Sequence, residues 1–251
     1  MPESQELSLE RLLEDEDLGI EVLHPGGLDI TRELASMCGI GKGTTVLDVA
    51  TGTGEGACFL AETLRARVVG VDISEVLLQR ARSKAAARDL QVDFRQGDAN
   101  RLDLADDSFQ VVVCECSMCL MDKQRAMREM VRVAERGGRV GMHDLCWREE
   151  PPAQIRDRLA ELEGERPERL ADWKSLFTSA GLVDLRTVDK SSLLRDWTES
   201  IEQALGLSGR LRLFLKVARA HGISGLLRVL ESERIFRSRY LGYGIVVGTK
   251  P

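Results

Sequence analysis

The chain has 251 residues, of which 43% are hydrophobic and 30% are charged, with a formal net charge of -6 and a sequence pI near 5.3. This composition is typical of one large globular domain with enough apolar residues for a buried core. The acidic balance argues against a nucleic-acid partner, because phosphate backbones are bound by clustered Lys and Arg. No apolar stretch approaches the roughly 18 to 20 residues that span a bilayer, so we expect a cytoplasmic protein with no membrane partner.

The cysteines do not follow the spacing of a secreted disulfide framework. Three of them fall close together in the segment CECSMC, residues 114–119. We therefore expect the thiols to be reduced, as in the cytoplasm. The six cysteines are Cys38, Cys58, Cys114, Cys116, Cys119 and Cys146.

Short β-branched runs alternate with segments of helical spacing along the chain. The runs predict strands at residues 44–50, 67–73, 91–99, 109–116, 138–145, 182–189 and 243–250. Between the first five strands, helices are predicted, for example at residues 75–90 and 122–138, the second closed by a Gly pair. The alternation predicts an α/β fold with a parallel sheet covered on both faces.

The segment before the last strand is unusually long. Residues 151–181 also read as helices, but residues 191–240 form about fifty helix-like residues between two strands, too many for a plain connection. They are interpreted either as a helical cap over the sheet or as ordinary packing helices.

A glycine-rich turn follows the first predicted strand. The stretch GTGEGA, residues 52–57, fits the G-x-G-x-x-G/A pattern that lets a backbone and a helix N-terminus approach a ligand. Nicotinamide, flavin and S-adenosylmethionine sites share this pattern, and in each Asp72 could bind ribose hydroxyls. Asp48 favours the third, because an anion there suits a cationic or N–H-bearing group and not a pyrophosphate. Asp98 closes the third strand, where its carboxylate could accept from an exocyclic amine.

At these residues the sequence resembles the class I S-adenosylmethionine-dependent methyltransferases of small molecules. VLDVATGTG (46–54), GVDIS (70–74), QGDA (96–99) and the segment 106–145 are similar to four successive motifs of that family, with Ala50 and Gln110 departing from the commonest pattern. The resemblance covers roughly residues 25–190 and the last strand. It implies a Rossmann-like, doubly wound, mostly parallel seven-stranded sheet with a helical insertion before the last strand.

The same resemblance divides the chain into four parts. Residues 1–43 are expected to form an N-terminal helical segment and a loop, and residues 44–190 the S-adenosylmethionine-binding core. Residues 191–240 are then the helical cap, and residues 241–251 return to the sheet as its last strand.

The resemblance also implies the contacts of the cofactor, S-adenosylmethionine. Gly52 and Gly54 would pass beside its methionine part, and Asp72 would bind the ribose. Ile73 would touch the adenine and Asp98 would bind the adenine amine. The full set of expected cofactor residues is Asp48, Ala50, Thr51, Gly52, Thr53, Gly54, Asp72, Ile73, Ser74, Gly97, Asp98, Ala99, Cys114 and Glu115.

In the topology of that family the fourth and fifth strands are neighbours, so their carboxyl ends should face one crevice. This would bring Cys116 and Cys119 near His143. The residues expected to contact the methyl acceptor are His24, Met118, Cys146 and Trp147. The segment CECSMCLMDK is similar to part of the arsenite methyltransferases, so a thiophilic acceptor such as arsenite is one alternative, and simple packing of the thiols is another.

We expect in-line displacement of the methyl group to a small-molecule acceptor held at near-attack distance. For an acceptor that carries a proton, His143 would be the general base and Asp144 its alternate. For a metalloid, Cys116 or Cys119 would be the ligand, and no metal ion is expected in either case. A non-catalytic S-adenosylmethionine-binding module and a homodimer stay open. A nicotinamide oxidoreductase is disfavoured, because Tyr240 and Tyr243 form no Tyr-x-x-x-Lys pair.

Overall fold

The structure is a computed structural model that describes residues 24–251; the side chains of residues 198–205, 207, 208, 210 and 220 are outside that description. Most of the predicted N-terminal helical segment, residues 1–23, also lies outside the described residues. The described helices include none that is both long and apolar enough to cross a membrane.

The strands and helices alternate through the first half of the described chain. The strands are β1 (Thr45–Val49), β2 (Arg67–Asp72), β3 (Val92–Gln96), β4 (Phe109–Glu115), β5 (Ala134–Trp147), β6 (Glu168–Arg169), β7 (Val183–Asp189) and β8 (Leu241–Thr249). The helices are α1 (Gly27–Cys38), α2 (Glu55–Leu64), α3 (Glu75–Ala87), α4 (Lys123–Val133), α5 (Ala153–Glu163), α6 (Leu170–Ser179) and α7 (Ser191–Phe236), with a 3-10 turn at Met118–Leu120.

The strands form one sheet in the order β3-β2-β1-β4-β5-β8-β7. The pairs β1–β2, β1–β4, β2–β3 and β4–β5 are parallel, and β7 pairs with β8 antiparallel. This confirms the Rossmann-like, mostly parallel α/β fold and the helical insertion before the last strand. The two-residue strand β6, which pairs with the end of β5, was not predicted.

The described residues fall into two compact units. Residues 28–144, 170–189 and 244–251 form the first, here called the sheet unit. Residues 24–27, 145–169 and 190–243 form the second, here called the helical unit. The sheet unit contains the glycine-rich turn and the acids at the ends of β1, β2 and β4.

Two strands at the centre of the sheet unit form its core. Val46, Leu47 and Val49 of β1 and residues 111–114 of β4 are buried. Parallel strands covered by helices on both faces bury every side chain, which explains their continuous apolar sequence. Asp48, next to the last residue of β1, is buried as well, although its side chain is ionisable.

The boundary between α4 and β5 differs from the prediction. The helix ends at Val133, and Ala134 already pairs with Phe109 of β4, so the Gly pair lies inside a strand. A Cβ on Gly138 would stand 2.8 Å from the Glu135 carbonyl oxygen and 2.9 Å from that of Gln110. The glycine is therefore required by close backbone packing and not by a helix cap.

The outer strands of the sheet carry charged side chains. Asp93 and Arg95 on β3 are exposed and form an ion pair with 2.6 Å between carboxylate and guanidinium. On β7 the register shifts between Val183 and Arg186, and Asp184 has a positive φ of 52°. This irregularity is a β-bulge at the edge of the sheet.

The helical unit joins α5 to the long helix α7. Arg158 of α5 pairs with Glu231 of α7 at 2.6 Å, and Ser232 donates to the buried Glu163. Helix α7 is interrupted at Gly206 and Gly222, whose φ values of 54° and 64° are not helical. The insertion is thus three consecutive helical segments.

Candidate functional site

The glycine-rich turn joins β1 to α2. Gly54 has a φ of 74°, and a Cβ there would stand 2.7 Å from the Ala81 Cβ, so only glycine fits. Gly52 has a φ of 54°, and nothing lies within 4 Å of where its Cβ would be. The backbone at Gly52 therefore borders open space beside the N-terminus of α2, which suits close approach of a ligand.

Asp72, at the end of β2, is hydrogen-bonded to this turn. Its two carboxylate oxygens accept from the N–H of Gly52 at 2.9 Å and the N–H of Ser74 at 2.8 Å. The neighbouring Ile73 is 70% exposed, which is unusual for a large apolar side chain next to a strand end. A buried acid beside an exposed apolar side chain fits a ribose and an aromatic base.

Asp98 follows β3 on the surface of the same unit. Its Oδ1 accepts from both the backbone N–H and the side-chain amide of Asn100, each at 2.8 Å. These bonds fix the direction of the carboxylate at the end of the strand. Gly97 donates its N–H to the carbonyl of Asp72, which keeps the ends of β2 and β3 together.

Asp48 is a buried acid between the turn and β4. Its pKa is raised to about 8, first by burial and then by the negative charge of Glu115, while the hydroxyl of Thr51 donates to it and lowers the pKa. Asp48 therefore keeps its proton near neutral pH. A cationic group placed beside it would favour the carboxylate, so this site fits a sulfonium.

Glu115, at the end of β4, meets two side chains from other elements. Thr31 of α1 donates its hydroxyl to Glu115 Oε2 at 2.7 Å. His143 Nε2, at the end of β5, lies 3.2 Å from the same oxygen. The structure thus brings a carboxylate and an imidazole together at the carboxyl ends of neighbouring strands, a pairing that the sequence analysis did not predict.

The two cysteines after β4 have different environments. Cys116 is partly exposed and has a left-handed φ of 51°, and its N–H donates to the His143 carbonyl at 2.8 Å. Cys119 is buried, and its N–H donates to Asp144 Oδ2 at 3.1 Å. Asp144 therefore holds the loop after β4 in place.

Three of the residues expected to contact the acceptor belong to the helical unit: His24, Cys146 and Trp147. Met118 belongs to the sheet unit and is fully buried. Their roles stay predictions. Sequence reasoning missed Thr31, which no motif marks, because its bond to Glu115 joins residues 84 positions apart.

The profile of a family described as "Methyltransferase domain" matches residues 40–201. The chain belongs to this methyltransferase family. The matched range contains the turn, Asp72, Asp98, Glu115 and His143. The fold, the glycine-rich turn and the buried acids together fit S-adenosylmethionine as the cofactor. The predictions of a class I methyltransferase and of S-adenosylmethionine as its cofactor are thereby confirmed.

Named relatives agree with this assignment. The methyltransferase GfsG of Streptomyces halstedii is 31% identical over 183 residues, which are 70% of this chain and 66% of that protein. The 27-O-demethylrifamycin SV methyltransferase of Amycolatopsis mediterranei is 28% identical over 88% of this chain and 83% of its own. The match thus spans about two thirds of the length of GfsG.

A solved structure shares the fold of this methyltransferase. A phosphoethanolamine N-methyltransferase of Haemonchus contortus superposes with a TM-score of 0.79 over 96% of this chain and 57% of its own. The sequence identity is 17%, so this likeness concerns the fold alone.

Proposed function

We propose that this chain transfers the methyl group of S-adenosylmethionine to a small-molecule acceptor. The observation that carries the proposal is the cluster of acids around the glycine-rich turn, in which Asp72 braces Gly52 and Asp48 is buried between the turn and Glu115. The two named relatives are both methyltransferases, which supports the same reaction.

Different residues would bind different parts of S-adenosylmethionine. The cofactor supplies a methyl group on a positively charged sulfur. Asp72 would accept from the ribose, Ile73 would pack on the base, and Asp98 would accept from the base amine. Glu115 would place negative charge beside the cationic end, and a cation there would favour the carboxylate form of Asp48. Catalysis then comes from holding the acceptor in line and excluding water.

Two finer statements belong to this proposal. The protein acts in the cytoplasm, which is supported by six cysteines, all among the described residues, that form no disulfide with one another. The acceptor is a small molecule, as it is for the rifamycin methyltransferase. The cap role for residues 191–240 stays a prediction, as does a homodimer.

Calorimetry and radiolabel transfer together test the proposal. We expect S-adenosylmethionine and its demethylated product to bind, and NADH not to bind. We expect label from the methyl group to reach at least one member of a panel of phenols, amines, thiols and arsenite. Binding without any transfer would support the non-catalytic module, and failure of S-adenosylmethionine to bind would overturn the proposal.

Asp72→Ala should weaken S-adenosylmethionine binding. The change removes a charged acceptor of hydrogen bonds and releases the N–H groups of Gly52 and Ser74, so we expect a loss of about 1.5 to 3 kcal/mol, or roughly tenfold to a hundredfold in Kd. Calorimetry measures it. The matched control is Asp93→Ala, which removes an exposed carboxylate from β3 and should leave Kd unchanged. An unchanged Kd in Asp72→Ala would refute the role of the second strand.

Changing Cys116 or Cys119 to Ser separates the two acceptor classes. With a phenol or amine as acceptor, we expect less than about a threefold change in kcat, because a near-isosteric hydroxyl preserves most of the packing. With arsenite as acceptor, the loss of a soft thiolate should lower the rate more than about a hundredfold. Arsenite is included among the acceptors because Cys116 is partly exposed. Cys58→Ser on α2 is the control, and a large loss of phenol or amine methylation in Cys116→Ser would contradict the expectation.

A further inference from the structure

Four ionisable side chains meet at the carboxyl ends of β1, β4 and β5 in the sheet unit. They are Asp48, Glu115, His143 and Asp144. The His143 side chain has 0% exposure, whereas that of Glu115 has 10%. Asp48 and Asp144 are also buried. Glu115 is thus the most accessible of the four.

Neither of the two aspartates is suited to accept a proton from the acceptor. Asp144 accepts from the Cys119 N–H and so holds the loop that follows β4. Asp48 keeps its proton near neutral pH, since burial and the charge of Glu115 raise its pKa to about 8. Glu115 is the more accessible acid of this pair, and its negative charge is one cause of the raised pKa of Asp48.

Three elements determine where that carboxylate lies. Thr31 of α1 donates to Oε2, and His143 Nε2 lies near the same atom. The carboxylate also packs against Gly56, where a Cβ would stand 3.3 Å from Oε2. Gly56 is in the first turn of α2, and the N-terminus of a helix favours a negative charge.

We propose that Glu115 is the general base of methyl transfer and that Thr31 and His143 are residues that position it. This inference rests on the proposed function. A lone pair of the acceptor atom forms the new bond to the methyl carbon, and the electron pair of the broken carbon–sulfur bond stays on sulfur. The proton of the acceptor passes to the carboxylate of Glu115.

Within the sheet unit, titratable groups from four elements interact with Glu115. They are Cys38 of α1, Asp48 of β1, Cys114 of β4 and His143 of β5. Burial raises the pKa of both thiols, that of Cys38 to about 12, so they stay protonated. The fall of kcat/KM at low pH should therefore reflect protonation of the pair formed by Glu115 and His143.

The first experiment replaces the carboxylate. The acceptor is the phenol or amine of the panel that the parent methylates fastest. Glu115→Gln should lower kcat at least about a hundredfold, while Glu115→Asp should keep part of the activity. Calorimetry should show that Glu115→Gln still binds the demethylated product within about threefold of the parent.

A second readout needs no cofactor. Because the charge of Glu115 raises the pKa of Asp48, the Asp48 titration followed by carboxyl NMR should move to lower pH in Glu115→Gln. Asp93→Asn should leave it in place. An unmoved titration would mean that Glu115 is not the ionised partner and would overturn the proposal.

The positioning residues are tested by a pH profile. Thr31→Val removes a donor to the carboxylate, which raises the pKa of the base and should move the acid limb of kcat/KM to higher pH. Thr31→Ser keeps the hydroxyl and should restore the limb. A merely structural role would change the rate without moving the limb.

Gly56→Ala tests the position of the carboxylate through its contact with α2. The added methyl group presses on the Glu115 carboxylate, so kcat should fall about tenfold, although alanine favours a helix over glycine by about 1 kcal/mol. Gly41→Ala, where nothing lies within 4 Å, is the control.

The outcomes distinguish this inference from the proposed function. If the parent binds no S-adenosylmethionine or transfers no methyl group, the proposed function fails. If the parent is active and Glu115→Gln keeps more than about a third of its kcat, only the inference fails. Transfer to arsenite alone, with no phenol or amine methylated, would overturn the inference as well.

Discussion

Replacing Asp48 by Asn should make the free energy of unfolding much less dependent on pH between about 4 and 8. In the unfolded chain Asp48 loses its proton near its ordinary pKa of 3.8, whereas in the folded protein it keeps the proton up to about 8. The folded parent therefore loses stability as the pH rises through this range. Raising the pKa from 3.8 to about 8 corresponds to on the order of 5 kcal/mol, and Asn has no proton to lose.

Urea unfolding at about pH 5 and about pH 8.5, without ligand, measures this effect. We expect Asp48→Asn to gain much more stability over the parent at the higher pH than at the lower. Asp93→Asn, on the exposed face of β3, should follow the parent at both. A parallel loss in parent and Asp48→Asn between the two pH values would show that Asp48 is not the group responsible.

Replacing Arg132 by Ala should lower the free energy of unfolding by about 3 kcal/mol and weaken cofactor binding. The guanidinium donates to the carbonyls of Leu102 and Leu104 and to the carboxylates of Asp106 and Glu129. These bonds fasten the loop between β3 and β4 to α4. That loop begins just after Asp98, so its loosening should reach the residue expected to bind the base amine.

Arg125→Ala is the control on the same helix. Arg125 is 67% exposed and pairs only locally with Asp122, whereas Arg132 is 29% exposed. Exposed pairs of this kind contribute at most about 1 kcal/mol. Equal losses of stability in the two variants, or an unchanged Kd for S-adenosylmethionine in Arg132→Ala, would contradict the expectation.

The parts of the structure that could be predicted are those governed by local pattern. Continuous β-branched runs identified seven strands, because a doubly covered sheet requires buried side chains on both faces. Asp48 of β1 and Asp72 of β2 could also be found from the sequence, because an ionisable residue interrupts an apolar run. The resemblance to a family then predicted that the fourth and fifth strands are neighbours, as β4 and β5 are.

The remaining features depend on contacts between distant residues. The stretch AERGG after α4 has helical spacing, yet it forms the start of β5 because Ala134 pairs with Phe109. Strand β6 has two residues, too few to make a pattern. Nothing in the local sequence marks that the side chain of Glu115 meets Thr31 of α1. The raised pKa of Asp48 likewise follows from burial and from Glu115, neither of which spacing shows.

The charges on the two outer strands have a consequence for association between copies of the chain. An unpaired strand edge is a template on which another chain can add a strand, and such addition leads to aggregation. Asp93 and Arg95 on β3 would have to give up water for such a contact, and the bulge at Asp184 bends β7 away from regular pairing. These two features disfavour edge-to-edge joining of the sheets of two copies, so we expect a homodimer, if one forms, to use other surfaces.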